Sequence, residues 1–236
     1  MADQRIHSIA ERFAKRPEYY HSDRTELLAL LPAGARRILD VGCGAGRSWE
    51  GSDREVHGIE FDPVAAARAR PHLREVHVGD VERIAPPYPP GHFDCLLFAD
   101  VLEHLYDPWG VVLRFRELLK PDGHLLLSVP NVRHYKVLGP LFWRGDFGYQ
   151  QQGVLDIDHL RFFARRNVEW LLAETGFEVV RWNNYRHASA KYRIANRLLF
   201  GRLGDFLTKQ FMVLARPRAG FVPPAAGGDA RAVSRP

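Results

Sequence analysis

The chain has 236 residues, which is enough for one α/β domain with a real hydrophobic core or for two small domains. Its 46% hydrophobic content is ordinary for a globular protein, and no apolar run approaches the length of a membrane span. The net charge of +5 comes from arginines spread along the chain, a pattern that favours a compositional origin over an acidic or phosphorylated substrate.

The N-terminal stretch is charged throughout and has no apolar signal core, so no secretion signal is expected. Helical spacing fills about residues 5–31 and ends at Pro32. Two cysteines, Cys43 and Cys95, are too few for a disulfide framework. We therefore expect a cytoplasmic protein whose chain starts with helices.

After Pro32, apolar runs alternate with helical patterns, as in the segments 63–71 and 108–120. This alternation predicts parallel pairing in a doubly wound α/β sheet. The predicted strands are Arg37–Val41, Glu55–Glu60, Glu75–Gly79, Phe93–Ala99, His124–Val129, Phe177–Trp182 and Gln210–Ala215.

A glycine loop follows the first strand, in the stretch ILDVGCGAG from Ile38 to Gly46. The loop is not a Walker motif, which argues against hydrolysis of nucleoside triphosphates. Gly42 and Gly44 fit a dinucleotide fingerprint, but Arg47 stands where the third glycine is required. A tight turn with no ligand remains an alternative for the loop taken alone.

Two carboxylates follow the next two strands. Glu60 ends the second strand, where a carboxylate can accept hydrogen bonds from ribose hydroxyls. Asp80 follows the third strand, where it can accept from an exocyclic amine of adenine. Because open α/β sheets bind ligands at the carboxyl ends of their strands, the loop and both acids predict a nucleoside site.

These segments together resemble one known family. The matching stretches are ILDVGCGAG, GIEFDP, VHVGDVE, FDCLLFADVLEHLYDP and LLKPDGHLLLSVPN, over about residues 36–131. The chain resembles a class I S-adenosylmethionine-dependent methyltransferase, in a subgroup found with bacterial glycan and natural-product biosynthesis. The resemblance implies a Rossmann-like, seven-stranded, mostly parallel sheet with its last strand antiparallel, and S-adenosylmethionine as the cofactor.

The resemblance also implies one domain over residues 1–216. The composition of residues 217–236, which is rich in Pro, Gly and Ala, predicts a disordered tail. Helices in residues 1–32 would cover the cofactor, and an insertion at 131–163 would form a substrate lid. The stretch 46–60 is about one helical turn shorter than is usual in the family, which predicts a stunted first helix.

The cofactor site that the resemblance implies places the loop glycines at the methionine end, Glu60 at the ribose and Asp80 at the adenine. Tyr20 and Arg24 would bind the methionine carboxylate, or would lie on a helix surface. The full predicted set is Tyr20, Arg24, Asp40, Gly42, Gly44, Glu60, Phe61, Asp80, Val81 and Ala99.

Asp100, Glu103 and His104 are spaced i, i+3, i+4 and would share one face of a helix. Some quinone-pathway O-methyltransferases resemble this motif and use Mg²⁺ there. In metal-independent relatives the acid lines the methyl-donor pocket and the histidine packs beneath it. We predict the metal-independent arrangement.

The lid segment supplies the remaining candidates. His159, next to Asp158, is the first candidate for a general base, because imidazole exchanges protons near neutral pH. Asp100 and His104 are the next candidates, and a structural lid residue is the alternative for His159. The residues predicted to bind the acceptor are Tyr135, Trp143, Tyr149 and Asp156.

The predicted activity is O-methylation of a small molecule or sugar, with a nucleotide sugar among the acceptors considered. N- or C-methylation of a small aromatic metabolite and a non-catalytic cofactor-fold binding module are the alternatives. A DNA-directed enzyme is disfavoured, because ADVL stands where amine-directed DNA enzymes carry an NPPY-type tetrad. No nucleic-acid partner is expected, and the oligomeric state is left open.

Overall fold

The computed structural model describes residues 24–185, 196–198, 200 and 203–223. The expectation for Tyr20, most of the predicted N-terminal helices and the tail from residue 224 lie outside these residues. None of the described helices is long and apolar enough to cross a membrane.

Most strands lie close to the predicted ranges, but the fifth begins at Leu119, five residues before its predicted start, and includes the last two residues of the segment 108–120 predicted to be helical. Their bounds are β1 (Arg37–Val41), β2 (Glu55–Glu60), β3 (Glu75–Val78), β4 (Phe93–Ala99), β5 (Leu119–Pro130), β6 (Phe177–Tyr185) and β7 (Gln210–Pro217). The helices of the described residues include α1 (Thr25–Leu28), α2 (Pro63–Ala69), α3 (Pro108–Arg116), α4 (Tyr135–Arg144) and α5 (Arg165–Glu174). Two short 3₁₀ helices lie at Arg47–Trp49 and Leu102–His104.

The sheet has seven strands in the order β3-β2-β1-β4-β5-β7-β6. Only β7 runs antiparallel to its neighbours β5 and β6, and the other pairs are parallel. The predicted Rossmann-like sheet is therefore confirmed. Strand order reverses beside β1, and such a switch point opens a crevice at the carboxyl ends of the strands.

The core lies on both faces of this sheet. Ile38 and Leu39 are adjacent in β1 and fully buried, yet they pack into different apolar clusters. Successive strand residues point to opposite faces, so a strand covered on both sides must be apolar at every position. One cluster includes Phe115 and Leu171 from α3 and α5, and the other includes Leu27 and Ala69 from α1 and α2.

An aspartate followed by a proline marks the start of both α2 and α3. The Asp62 carboxylate accepts the amide of Val64 as the cap of α2, and the Asp107 carboxylate accepts the amide of Gly110 as the cap of α3. A proline follows each cap, in the first helical position, where its missing N–H costs nothing. Helix α2 therefore begins three residues after the end of β2, and α3 begins after the loop that contains the 3₁₀ turn Leu102–His104.

Residues 217–223, predicted to belong to a disordered tail, make defined contacts. Pro217 is the last residue of β7, and the amide of Arg218 donates to the carbonyl of Gly176. The Phe221 ring packs so closely on Gly176 that a Cβ there would overlap the ring. The predicted boundary at 217 is therefore wrong for residues 217–223, because aromatic packing holds them.

Candidate functional site

The glycine loop after β1 has a backbone conformation that favours glycine. Gly42 and Gly44 have φ of 72° and 57°, which side chains with a Cβ rarely adopt. A Cβ on Gly42 would also lie 2.5 Å from a methyl group of Val101. Only the 3₁₀ turn Arg47–Trp49 follows the loop, so the predicted stunting of the first helix is confirmed.

Glu60, at the end of β2, is 7% exposed and holds the loops on either side of it. Its Oε2 accepts the amide of Gly44 at 2.8 Å, and its Oε1 accepts the amide of Asp62 at 2.9 Å. An ionised carboxylate has about four lone-pair sites, so about two remain for a ligand hydroxyl. This geometry fits the predicted ribose contact.

The loop after β3 is fixed by its own carboxylates. Asp80 Oδ1 accepts the amide of Glu82 at 2.9 Å, while a third of the Asp80 side chain stays exposed. The Glu82 carboxylate accepts the amides of Tyr106 and Asp107, which ties this loop to the loop after β4. The Asp80 carboxylate is therefore held in place and still reachable by an amine.

Two apolar residues flank these carboxylates in the sequence. Phe61 follows Glu60 directly and is 73% exposed, although a phenyl ring usually lies in the core. Val81 follows Asp80 and is buried. An exposed ring and a buried aliphatic side chain beside hydrogen-bonding groups are suited to a flat, apolar base.

Arg24 and Asp40 form a buried ion pair beneath the glycine loop. The Arg24 guanidinium donates to both oxygens of Asp40, at 3.2 and 3.0 Å, and to the carbonyls of Gly42 and Ala99. Trp49 Nε1 donates to Asp40 Oδ2 at 2.7 Å. Burial raises the pKa of Asp40, and the Arg24 charge and the Trp49 hydrogen bond oppose that rise. Arg24 thus holds the loop itself, which leaves few of its donors for a ligand carboxylate.

The residues present fit S-adenosylmethionine, the cofactor that the resemblance implies. Glu60 and Asp80 offer acceptors at neighbouring strand ends for a ribose and an amine, and Phe61 offers a ring. Gly44 allows backbone to approach a ligand closely, since it carries no Cβ. Phosphate-binding groups are not needed at this edge, because the cofactor has no phosphate.

Asp100 does not lie on a helix, so the prediction of one helical face for Asp100, Glu103 and His104 is wrong. Asp100 has φ of 56°, and only the 3₁₀ turn Leu102–His104 follows it. Ser128 Oγ donates to Asp100 Oδ1 at 3.1 Å, and Gln210 Nε2 donates to the same oxygen. Burial raises the pKa of Asp100, and the Arg24 charge opposes that rise.

Glu103, His104 and His159 form a cluster under the lid, which we call the Glu–His–His cluster. One ligand atom from each residue lies within 4.8 Å of the other two. Glu103 is 1% exposed, and neither of its carboxylate oxygens has a hydrogen-bond partner among the described residues. Burial and the Asp100 charge raise the pKa of Glu103 well above its ordinary range.

Both histidines of this cluster use Nδ1 in the same way. Nδ1 of His104 lies 3.2 Å from the carbonyl of Asp158, and Nδ1 of His159 lies 3.1 Å from the carbonyl of Val154. A carbonyl only accepts, so each Nδ1 carries the proton and each neutral ring keeps its lone pair on Nε2. The ring centroids lie 4.7 Å apart at 77°.

The segment predicted to form the lid contacts the loop after β4 through its backbone. The amides of Leu160 and Arg161 both donate to the carbonyl of Glu103, at 2.8 and 2.9 Å. The Arg161 guanidinium donates to the carbonyl of Tyr106. His159 is therefore carried into the cluster by the same segment that closes over it.

The predicted acceptor-binding residues do not share one environment. Asp156 is fully buried, and its Oδ1 accepts the amide of Asp158, so it builds the turn that presents His159. Trp143 is 82% exposed and packs on Phe142, and Tyr149 is 56% exposed. Tyr135 is half-buried at the start of α4.

Sequence reasoning misses several residues that position the site. Trp49 and Gln210 lie outside the motifs that match the family, and Ser128 lies within one that gives no sign of its contact with Asp100. The spacing of Glu103 from Asp100 and His104 makes it a candidate site residue but does not show that it is buried. Its position in the apolar stretch VLEHL is the sequence signal for burial.

The sequence matches a family described as a methyltransferase domain over residues 11–181. It is 40% identical over 105 residues to the ubiquinone biosynthesis O-methyltransferase of Alkalilimnicola ehrlichii, covering 41% of this chain and 42% of that one. It is 39% identical over 121 residues to the protein of the same name in Xanthomonas euvesicatoria pv. vesicatoria, covering 48% of each. The matches thus span less than half of these curated relatives.

The fold is similar to the crystal structure of a SAM-dependent methyltransferase from Archaeoglobus fulgidus, with a TM-score of 0.62 and 15% identity. That likeness covers 89% of this chain and 98% of the other. At such low identity it supports the fold alone.

Proposed function

This chain belongs to the class I S-adenosylmethionine-dependent methyltransferases, and we propose that it methylates a hydroxyl oxygen of a small molecule. The relatives that match over part of the chain are named as O-methyltransferases, which supports oxygen as the methylated atom. The geometry of the Glu–His–His cluster supports the same choice, because a hydroxyl benefits from a base more than a neutral amine does.

His159 carries the proposal. Its ring is 8% exposed, and its Nδ1 proton is directed to the Val154 carbonyl. Nε2 therefore carries the lone pair, which is the group that takes a proton from an acceptor hydroxyl. His104 lies beside it in the same tautomer and can take that role if the acceptor lies nearer to it.

These contacts indicate which residues would bind the cofactor and which would take the proton. When bound, S-adenosylmethionine supplies an electrophilic methyl group on a positively charged sulfur. Glu60 and Asp80 would hold the nucleoside end, and the glycine loop would lie beside it. The segment 131–163 would exclude water, and His159 Nε2 would take the proton of the acceptor hydroxyl. Positioning does much of the catalytic work, because the sulfonium is already a good leaving group.

We propose that this chemistry needs no metal. The Mg²⁺ set suggested by the sequence needs Asp100, Glu103 and His104 on one helical face, and Asp100 does not lie on a helix. Glu103, His104 and His159 could together bind a cation such as Zn²⁺, which takes three protein ligands in catalytic sites. Two imidazoles and one carboxylate are a poor match for Mg²⁺, which prefers six oxygen ligands.

The acceptor is proposed to be an aromatic or sugar hydroxyl. Aromatic side chains crowd the lid, where Phe147 packs on both Tyr149 and Phe162. Such rings stack on phenols and on the apolar faces of sugars. The wider prediction of a role in glycan or natural-product biosynthesis depends on which of these acceptors is used.

A transfer assay tests the proposal. The protein is incubated with S-adenosylmethionine and a panel of phenols, sugars and nucleotide sugars, and formation of S-adenosylhomocysteine is followed. Product analysis by NMR then assigns the new methyl group to oxygen, nitrogen or carbon. The Gly44→Val variant serves as the control, since a branched side chain at φ of 57° blocks the cofactor loop. A wild type that binds the cofactor and methylates none of the panel would instead support a non-catalytic binding module.

A further inference from the structure

Asp100 is held by a pair of donors that lie far from it in the sequence. Ser128 Oγ and Gln210 Nε2 both donate to its Oδ1. The amide of Asp100 also donates to the Ser128 carbonyl at 3.2 Å, so Ser128 fixes both backbone and side chain. None of the described residues donates to Oδ2, which leaves that oxygen for a ligand.

The antiparallel strand β7 explains how Gln210 reaches this position. Gln210 is the first residue of β7 and pairs with Pro130, the last residue of β5. An antiparallel strand brings its first residue to the edge where the parallel strands end. The fold thus delivers one amide side chain from the far end of the chain to the site.

The backbone conformation of Asp100 indicates that contacts with surrounding residues hold it in place. Asp100 has φ of 56°, one of two positive values among the described residues other than glycine. Such a conformation is strained and persists only where surrounding contacts determine it. Ser128 is 1% exposed, so its hydroxyl is a rigid support for the turn.

We propose that Gln210 and Ser128 are positioning residues that aim the Asp100 carboxylate at the reacting groups. This inference rests on the proposed function: Asp100 directly follows the carboxyl end of β4 at the crevice, and its charge acts on Glu103 of the Glu–His–His cluster. The Gln210 amide can only donate from Nε2, so it favours an ionised Asp100. The Arg24 charge acts in the same direction, against the effect of burial.

The test uses Gln210→Ala, Gln210→Glu and Ser128→Ala beside the wild type. Gln210→Ala and Ser128→Ala should lower kcat by about 10²-fold, the scale of a small misplacement of a reacting group. The Kd for S-adenosylmethionine should change by less than about threefold, since Glu60 and Asp80 are untouched. Arg216→Ala is the control, because Arg216 forms an exposed ion pair with Glu178 near the other end of β7.

Gln210→Glu gives a readout that a merely structural role would not change. When ionised, the introduced carboxylate cannot donate to Asp100 and repels it, whereas its protonated form can donate. Both enzymes lose turnover when the base is protonated, so the ratio of variant turnover to wild-type turnover is compared, and this ratio should rise as the pH falls. A variant profile of the same shape as the wild type would overturn the proposal.

A crystal structure of Gln210→Ala, or of Ser128→Ala if the first variant does not fold, separates this inference from the proposed function. Asp100 should leave its positive φ or rotate its carboxylate. An unchanged Asp100 overturns the positioning role, whatever the activity. A wild type that transfers no methyl group overturns the proposed function, and the crystal structure still decides the positioning.

Discussion

The Arg24 guanidinium lies 3.0 Å from the fully buried carboxylate of Asp40, and the Arg24 side chain is itself only 12% exposed. The pair joins the segment before α1 to the strand that ends in the glycine loop. Because Arg24 also donates to the carbonyls of Gly42 and Ala99, it holds two strand ends together. The cofactor loop is thus built on a charge pair rather than on apolar packing alone.

Arg24→Ala should destabilise the fold by about 3–5 kcal/mol, because it leaves the buried Asp40 carboxylate with Trp49 alone. Urea denaturation followed by circular dichroism measures this change. Arg36→Ala is the matched control, since Arg36 and Asp53 form an exposed pair whose loss should be barely measurable. Equal effects of the two substitutions would show that the Arg24–Asp40 pair is not a structural support.

Glu60→Ala should weaken binding of S-adenosylmethionine by about 1–3 kcal/mol, the range for hydrogen bonds to a charged group. The substitution removes the ribose acceptor and also releases the amides of Gly44 and Asp62. Calorimetric titration gives the affinity. Glu55→Ala, at the opposite and exposed end of β2, should leave it unchanged. If both variants bind like the wild type, the nucleoside does not lie at this edge.

Activity should survive dialysis against EDTA. The Glu–His–His cluster offers three donors, and the proposed chemistry uses its imidazoles as bases. Elemental analysis of the purified protein should find no stoichiometric zinc or magnesium. Loss of turnover on chelation, with recovery on adding Zn²⁺ or Mg²⁺, would contradict the metal-free proposal and assign the cluster to the metal.

Glu103→Gln should raise the free energy of unfolding relative to the wild type, and this gain should grow as the pH rises. The raised pKa of Glu103 means that the folded chain binds its proton more tightly than the unfolded chain does. The free energy of unfolding of the wild type therefore falls as the pH rises through the window above the ordinary value of about 4.3. A neutral glutamine binds no proton, so the stability of the variant does not fall in this way. Its advantage in free energy of unfolding over the wild type should grow by at most about 1.4 kcal/mol per pH unit.

Thermal unfolding between about pH 4 and pH 8 measures the Glu103→Gln effect across that window. Glu117→Gln, at an exposed position after α3, is the control and should show no such trend. A gain that does not change with pH would mean that Glu103 has the same proton affinity in both states.

The sequence predicts the sheet and its carboxyl edge because both depend on local patterns. Apolar runs such as ILDV and FDCLLFA specify buried strands, and Glu60 and Asp80 directly follow such runs. Contacts between distant segments have no local pattern. Trp49 on Asp40 and Gln210 on Asp100 depend on how the loops pack, and so does the positive φ of Asp100.

The helix predicted across Asp100 and His104 shows the same limit. The spacing is helical, but the stretch has to turn sharply out of β4 and then hold the lid backbone on Glu103. The sequence places His159 only within an insertion, whereas its contact with His104 depends on the turn built by Asp156. Tertiary contacts therefore override the helical period.

The last prediction concerns His159, whose Nε2 is the proposed proton acceptor. His159→Asn keeps some hydrogen bonding to the Val154 carbonyl but cannot take a proton from the acceptor. Turnover should fall by about 10²–10⁴-fold, the usual effect of losing a general base. The affinity for S-adenosylmethionine should barely change, because the lid does not hold Glu60 or Asp80. His124→Asn, in β5 and six residues before its end, is the matched control and should retain full turnover.

The pH dependence separates a base from an orienting group. Protonation of the imidazole removes the lone pair, so wild-type turnover should fall on the acid side of its pH profile. The slow residual turnover of His159→Asn should lack that acid limb. If His104 were the base instead, His159→Asn would keep the limb and His104→Asn would lose it. A variant that loses only affinity for the acceptor would make His159 a substrate-orienting contact, and one with wild-type turnover would make it a structural part of the lid.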